Sequence, residues 1–136
     1  MVRLIMGEKG EGKTKQLIEM LNNAANDEPG SVVCIEAERN MTFNIRYQIR
    51  LIDAREFHLD NYDTFRGFIC GLYAGNYDIS HVFIDNLCQI VNQEANHDTE
   101  MFLNWLDLFG ERNGVKFTVT ISAERSSATD GMKRYL

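Results

Sequence analysis

Residues 7–14 read Gly7-Glu8-Lys9-Gly10-Glu11-Gly12-Lys13-Thr14, which sets two glycines, a lysine and a threonine at the spacing G-x-x-x-x-G-K-[ST]. Each of these residue types has a task on a chain of phosphates. Gly7 and Gly12 carry no Cβ, so the backbone can wrap closely around an anion with successive N–H groups turned inward. Lys13 sets a point charge against β- and γ-phosphates, which makes it a catalytic as well as a binding candidate. Thr14 offers a hydroxyl to Mg²⁺. The whole segment from Gly7 to Lys15 is therefore read as the phosphate-binding stretch. Chance supplies this pattern in roughly one chain of this length in a few hundred.

The flanking elements are the ones such a loop needs. Val2-Arg3-Leu4-Ile5-Met6 is a short β-type run directly before it, and Leu17, Ile18, Leu21, Ala24 and Ala25 recur at helical spacing after it. A helix starting at the loop adds its positive dipole end and its free N–H groups. Strand, loop and helix in this order are the context in which the motif acts.

A phosphate loop also requires an acid for Mg²⁺. Val82-Phe83-Ile84-Asp85 is an apolar strand ending in a carboxylate, with His81 as an imperfect first position. Mg²⁺ keeps several waters, so Asp85, Thr14 and phosphate oxygens suffice to hold it.

The remaining chain alternates in the same way. Asp27-Glu28-Pro29-Gly30 is a turn, and Ser31–Glu36 is a nearly continuous apolar run, as expected of a strand buried on both faces. Residues 39–50 are mixed and weakly helical, and Leu51–Ala54 reads as a short edge strand. Helices are expected over 62–75, with Tyr62, Phe65, Phe68, Ile69 and Leu72 on one stripe, and over 98–112, with Met101, Phe102, Trp105, Leu106 and Phe109 facing inward. Asn113-Gly114 stops the second of these. Lys116–Ser122 closes the series as a strand, followed by a polar loop and a short tail. Such alternation implies a layered α/β domain spanning 1–136 with a mainly parallel sheet, whose ligands bind beyond the carboxyl ends of the strands.

On these residues the chain resembles the RecA-like (ASCE-type) P-loop NTPases. The resemblance implies a three-layer α/β/α P-loop NTPase fold with a mainly parallel five-stranded sheet, and a site for ATP and Mg²⁺. Many such ATPases place Glu directly after the strand acid to activate water, whereas Asn86 stands here. Either hydrolysis is lost or slow, or the base comes from elsewhere. In RecA-type proteins the water-orienting acid lies just beyond the second strand, and Ile35-Glu36-Ala37-Glu38 is similar to that setting. By this resemblance Glu38 is the catalytic candidate and Glu36 the second choice. Ser122 or Thr120 would sense the γ-phosphate or serve only in packing, and Arg39, Arg125 or a neighbouring subunit would supply transition-state charge. The layout is also similar to thymidine kinase, without that enzyme's zinc cysteines or nucleoside lasso. RecA's DNA-binding loops and polymerising segment are not evident, which leaves a minimal core similar to small ATP-binding proteins of bacteria. Three functions follow as expectations: a weak Mg²⁺-dependent ATPase, a non-hydrolysing ATP-dependent switch or adaptor with a protein partner, and a nucleoside or nucleotide kinase using residues 39–66 for its second substrate.

Bulk properties narrow the class further. With 136 residues, 44% hydrophobic content and 8 Phe, 5 Tyr and 1 Trp, one well-cored domain is expected. A net charge of −6 argues against nucleic-acid binding driven by bulk charge; Arg46, Arg50 and Arg55 fall within ten residues, and a solvated charged face is the favoured reading over a local basic patch. No stretch reaches the ~18 apolar residues of a membrane helix. The first strand begins at once, which leaves no room for a signal peptide. Cys34, Cys70 and Cys88 are expected as free, mostly buried thiols of a cytoplasmic protein, and they form no C-x-x-C zinc pair. His58, His81 and His97 are expected to be structural.

Overall fold

Along Ser31–Glu36 successive residues enter two different cores. Val33 and Ile35 join one buried cluster and Val32 and Cys34 the other. Strand side chains alternate in direction, so this split means that the sheet is covered on both faces. The computed structural model describes residues 1–8, 10, 12–39 and 45–136.

Five strands form one parallel sheet: β1 (Val2–Gly7), β2 (Ser31–Glu36), β3 (Arg50–Asp53), β4 (Ile79–Asp85) and β5 (Lys116–Ser122). Their spatial order is β1-β5-β4-β2-β3. The last strand in sequence thus lies between the strand that feeds the glycine loop and the strand that ends in Asp85. Helix α1 (Lys13–Asp27) packs Leu17, Leu21 and Ala24 onto Val32, Cys34 and Phe83 on one face. Helices α2 (Tyr62–Gly75) and α4 (His97–Asn113) cover the other with Phe65, Ile69, Phe102, Leu103 and Leu106. The result is the expected three-layer α/β/α architecture.

The helix boundaries have local causes. Asn61 accepts the Thr64 N–H at 2.8 Å to start α2. Asn96 and Thr99 form a reciprocal capping box at α4, which ends at Gly114 with φ of 70°. Thr99 also shares a 2.8 Å hydrogen bond with the Tyr62 hydroxyl, tying α4 to α2.

Several expectations are corrected. Residues 45–49 form a turn closed by Ile49 N–H to the Arg46 carbonyl at 3.1 Å, not a weak helix; Asn40, Met41, Thr42, Phe43 and Asn44 lie outside the described residues. A five-residue helix, α3 (Leu87–Val91), follows Asp85 unannounced, since its run is too short to show a helical period. The tail is not merely polar. It forms α5 (Asp130–Lys133) and buries Ala128, Met132 and Tyr135, and the Tyr135 carbonyl accepts the Leu4 N–H at 2.7 Å. Of the thiols, Cys34 is buried, but Cys70 is exposed because Gly67, Cys70, Gly71 and Ala74 form the outward face of α2. Trp105 stacks between Phe102 and Phe109, as a core residue would. Among the described residues no helix is long and apolar enough to cross a membrane.

Candidate functional site

The glycine loop owes its shape to backbone torsions that only glycine adopts without strain. Gly10 has φ of 93° and Gly12 has φ of 82°, and a Cβ placed on either would meet no atom within 4 Å. Gly10 and Gly12 therefore border open space. Gly12 is the residue from which α1 departs, and among the described residues no side chain caps that N-terminus. Its first N–H groups and the dipole end face the open side. Lys13 lies across the loop with Nζ donating to the Glu8 carbonyl at 2.9 Å. Gly7 ends β1 in register with Ser122 of β5. Lys9 and Glu11 lie outside the described residues.

The loop opens onto a cleft of about 1800 Å³ beyond the carboxyl ends of the strands. Gly10, Gly12, Lys13, Thr14 and Lys15 line one wall, and Asp85 and Glu38 line it from the ends of β4 and β2. Asp85 is half-buried. Burial pushes its pKa up, while the Thr120 hydroxyl and the positive charge of Lys13 pull it down. Thr120 donates to Asp85 Oδ1 at 2.7 Å and accepts the Asn86 N–H at 2.8 Å. Thr120 itself is buried beneath the cleft, whereas Ser122 lines it.

The two acids at the end of β2 part company. Glu36 is completely buried, in register with Asp85 on the neighbouring strand, and is not among the cleft-lining residues. Glu38 stands past the strand end, exposed to the cleft, and Gln89 Nε2 donates to its Oε1 at 2.9 Å. The far wall comes from α3 and the residues flanking it, including Asn86, Gln89, Asn92 and Gln93, together with Ala123 and Ser127. Sequence reasoning missed Gln89, and nothing in its neighbourhood along the chain marks it.

The arginines do not gather here. Arg39 lines a separate shallow groove against β3, with Tyr47, Arg50 and Phe57, and Arg125 is exposed in the turn after β5. Arg55 grips Asp53 through Nε at 3.1 Å and Nη2 at 2.9 Å, so its charge is partly neutralised, which goes against the basic-patch alternative. His81 is a packing residue. It stacks on Phe83, bonds Thr118 at 2.9 Å and lies 3.7 Å from Glu28, and burial drives its pKa down to about 4.

Comparison with known proteins bears on the fold alone. No family model and no curated protein matches the sequence. Among solved structures, the crystal structure of a KaiC-like protein from the hyperthermophilic archaeon Pyrococcus horikoshii OT3 matches 98% of this chain, with a TM-score of 0.67 and 18% sequence identity. The chain spans 66% of that protein's length. The chain thus shares the α/β fold of that protein.

Proposed function

We propose that residues 1–136 act as one nucleotide-binding domain of a cytoplasmic P-loop protein that binds ATP with Mg²⁺ and hydrolyses it slowly. One observation carries this reading. The glycine loop, Asp85 and Glu38, which come from three separate stretches of sequence, meet in one cleft. The residues suit the ligand. Two positive-φ glycines leave a concave backbone with nothing filling it, a lysine and a helix N-terminus face it, and a half-buried carboxylate lies within reach of that lysine's field.

In this reading Lys13 leaves the Glu8 carbonyl for the β- and γ-phosphates, and the loop N–H groups bind the phosphate oxygens. Thr14 and Asp85 hold the cation, the latter through water. Bound Mg²⁺ neutralises charge on the transferred phosphate. Glu38, rather than the buried Glu36, accepts a proton from water and orients it.

The test is isothermal titration with ATP, with and without Mg²⁺, of the wild type and Lys13→Ala, followed by phosphate release on the same samples. Binding lost in Lys13→Ala with slow release by the wild type is the expected result. A folded wild type that binds no ATP would sink the reading. Asn86, beside Asp85, favours a second reading as a non-hydrolysing switch, and binding without release would select it. Among the described residues of 39–66, none lines the cleft, but Arg39, Tyr47, Arg50 and Phe57 line the separate groove that a kinase would need for its second substrate, and transfer of labelled phosphate to a nucleoside panel would select that alternative.

A further inference from the structure

A line of hydrogen bonds crosses the floor and far wall of the cleft. It begins at Asp85, whose Oδ1 accepts from Thr120, and Thr120 Oγ1 in turn accepts the Asn86 N–H. Asn86 has φ of 63° and ψ of 57°, a left-handed conformation that turns the chain sharply out of β4 into α3. Its Nδ2 donates to Gln89 Oε1, and Gln89 Nε2 donates to Glu38 Oε1 at 2.9 Å. A carboxamide has one acceptor end and one donor end. With its oxygen engaged by Asn86, the Gln89 amide can present only N–H to Glu38.

We infer that Gln89, oriented by Asn86, is a positioning residue that holds Glu38 over the phosphate end of the cleft. This rests on the ATPase reading above. Glu38 is exposed, lies beyond the end of its strand and has a long side chain with several rotamers of similar energy. Gln89 restrains one carboxylate oxygen and leaves Oε2 to accept a proton from water. The restraint comes from α3, which is anchored by the fully buried Leu87 and by the buried Ile90 and Val91. The same segment carries Asp85, so the cation-side acid and the water-side acid are set relative to each other by a single stretch of chain.

The test combines turnover with a readout that needs no nucleotide. In amide-detected NMR of the intact chain, the Gln89 side-chain NH₂ pair should lie downfield and move on Glu38→Gln, because a charge-assisted bond becomes a neutral one. Gln89→Ala and the nearly isosteric Gln89→Glu, which swaps the donor for an acceptor, should each lower kcat by about tenfold to a hundredfold, as loss of an orienting partner does. The dissociation constant for ATP should change by less than about threefold, since uniform binding is untouched. In a Glu38→Gln background, Gln89→Ala should add no further loss. If Glu38→Gln lowers kcat but neither Gln89 variant does, or if ATP affinity falls in step with kcat, the inference is wrong and the ATPase reading survives. If Glu38→Gln leaves kcat unchanged, or the wild type releases no phosphate, both fall together.

Discussion

The Thr120 hydroxyl donates to Oδ1 of Asp85 at 2.7 Å, and Thr120 Oγ1 itself accepts the Asn86 N–H at 2.8 Å. A single side chain on β5 thus fixes both the acid that ends β4 and the residue that leaves it. Thr120→Val keeps the shape and removes the hydroxyl, so a half-buried donor and a half-buried acceptor lose their partner. The expected cost is about 1–3 kcal/mol, read from urea unfolding midpoints, with Thr120→Ser retaining most of the stability. Equal midpoints for Thr120→Val and wild type would refute this.

Asp85 predicts a trade between stability and binding. Burial raises its folded-state pKa despite Thr120 and Lys13. A raised pKa means that the ionised form opposes folding. The penalty appears as pH climbs past the unfolded carboxyl range near about 4 and is complete above the folded value. Asp85→Asn, free of nucleotide, should therefore melt at a higher temperature than wild type at neutral pH, and the gap should close toward about pH 4. Titration calorimetry should show the Mg²⁺-dependent part of ATP binding lost. A lower melting temperature for Asp85→Asn at neutral pH would contradict the electrostatic argument.

The opposite sign holds at His81, whose pKa falls to about 4 because it is buried, with the negative charge of Glu28 pulling the other way and Lys116 adding to the depression. The unfolded chain takes up a proton near its ordinary 6.5 while the folded chain does not. Stability from this site is complete above that value and drains away as pH falls toward about 4. His81→Gln keeps a polar group for Thr118 and removes the titration. Urea unfolding across this window should give a shallower dependence on pH for the variant. Parallel slopes would assign the acid sensitivity to other groups.

Two glycines should respond to alanine for different reasons. Gly12→Ala forces an L-residue into φ of 82°, which costs roughly 1–2 kcal/mol and displaces the N–H groups of the loop. Gly110→Ala would ordinarily favour a helix by about 1 kcal/mol. Here its Cβ would stand 2.3 Å from the Val115 carbonyl oxygen, a clash with backbone that must move. Thermal melts should show both variants destabilised, and ATP titration should show weakened binding only for Gly12→Ala. A stabilised Gly110→Ala would mean that the α4–β5 turn yields easily.

Read as a sequence, the chain disclosed whatever depends on near neighbours. The proposed phosphate loop is eight contiguous residues between a strand and a helix, so its pattern is read without reference to the rest of the chain. The bounds of α2, nearly those of α4, and all five strands were legible because side-chain direction repeats with the 3.6 and 2 periods of the backbone. The buried polar residues and the loop's partners were a different matter. Between Glu36 and Glu38 the sequence offered only resemblance, and register buried the first while the strand's end exposed the second. Gln89 and Glu38 are 51 residues apart and Thr120 and Asp85 are 35 apart. Nothing along the chain pairs them, because their meeting depends on β5 lying between β1 and β4, and on β2 lying beside β4. Strand order is settled by how two hydrophobic faces are covered at once, which is a property of the packed sheet rather than of any segment. The tail shows the same rule. Met132 and Tyr135 sit in a polar stretch with no period of their own, and they are buried only because α4 and β1 leave a site that they fill.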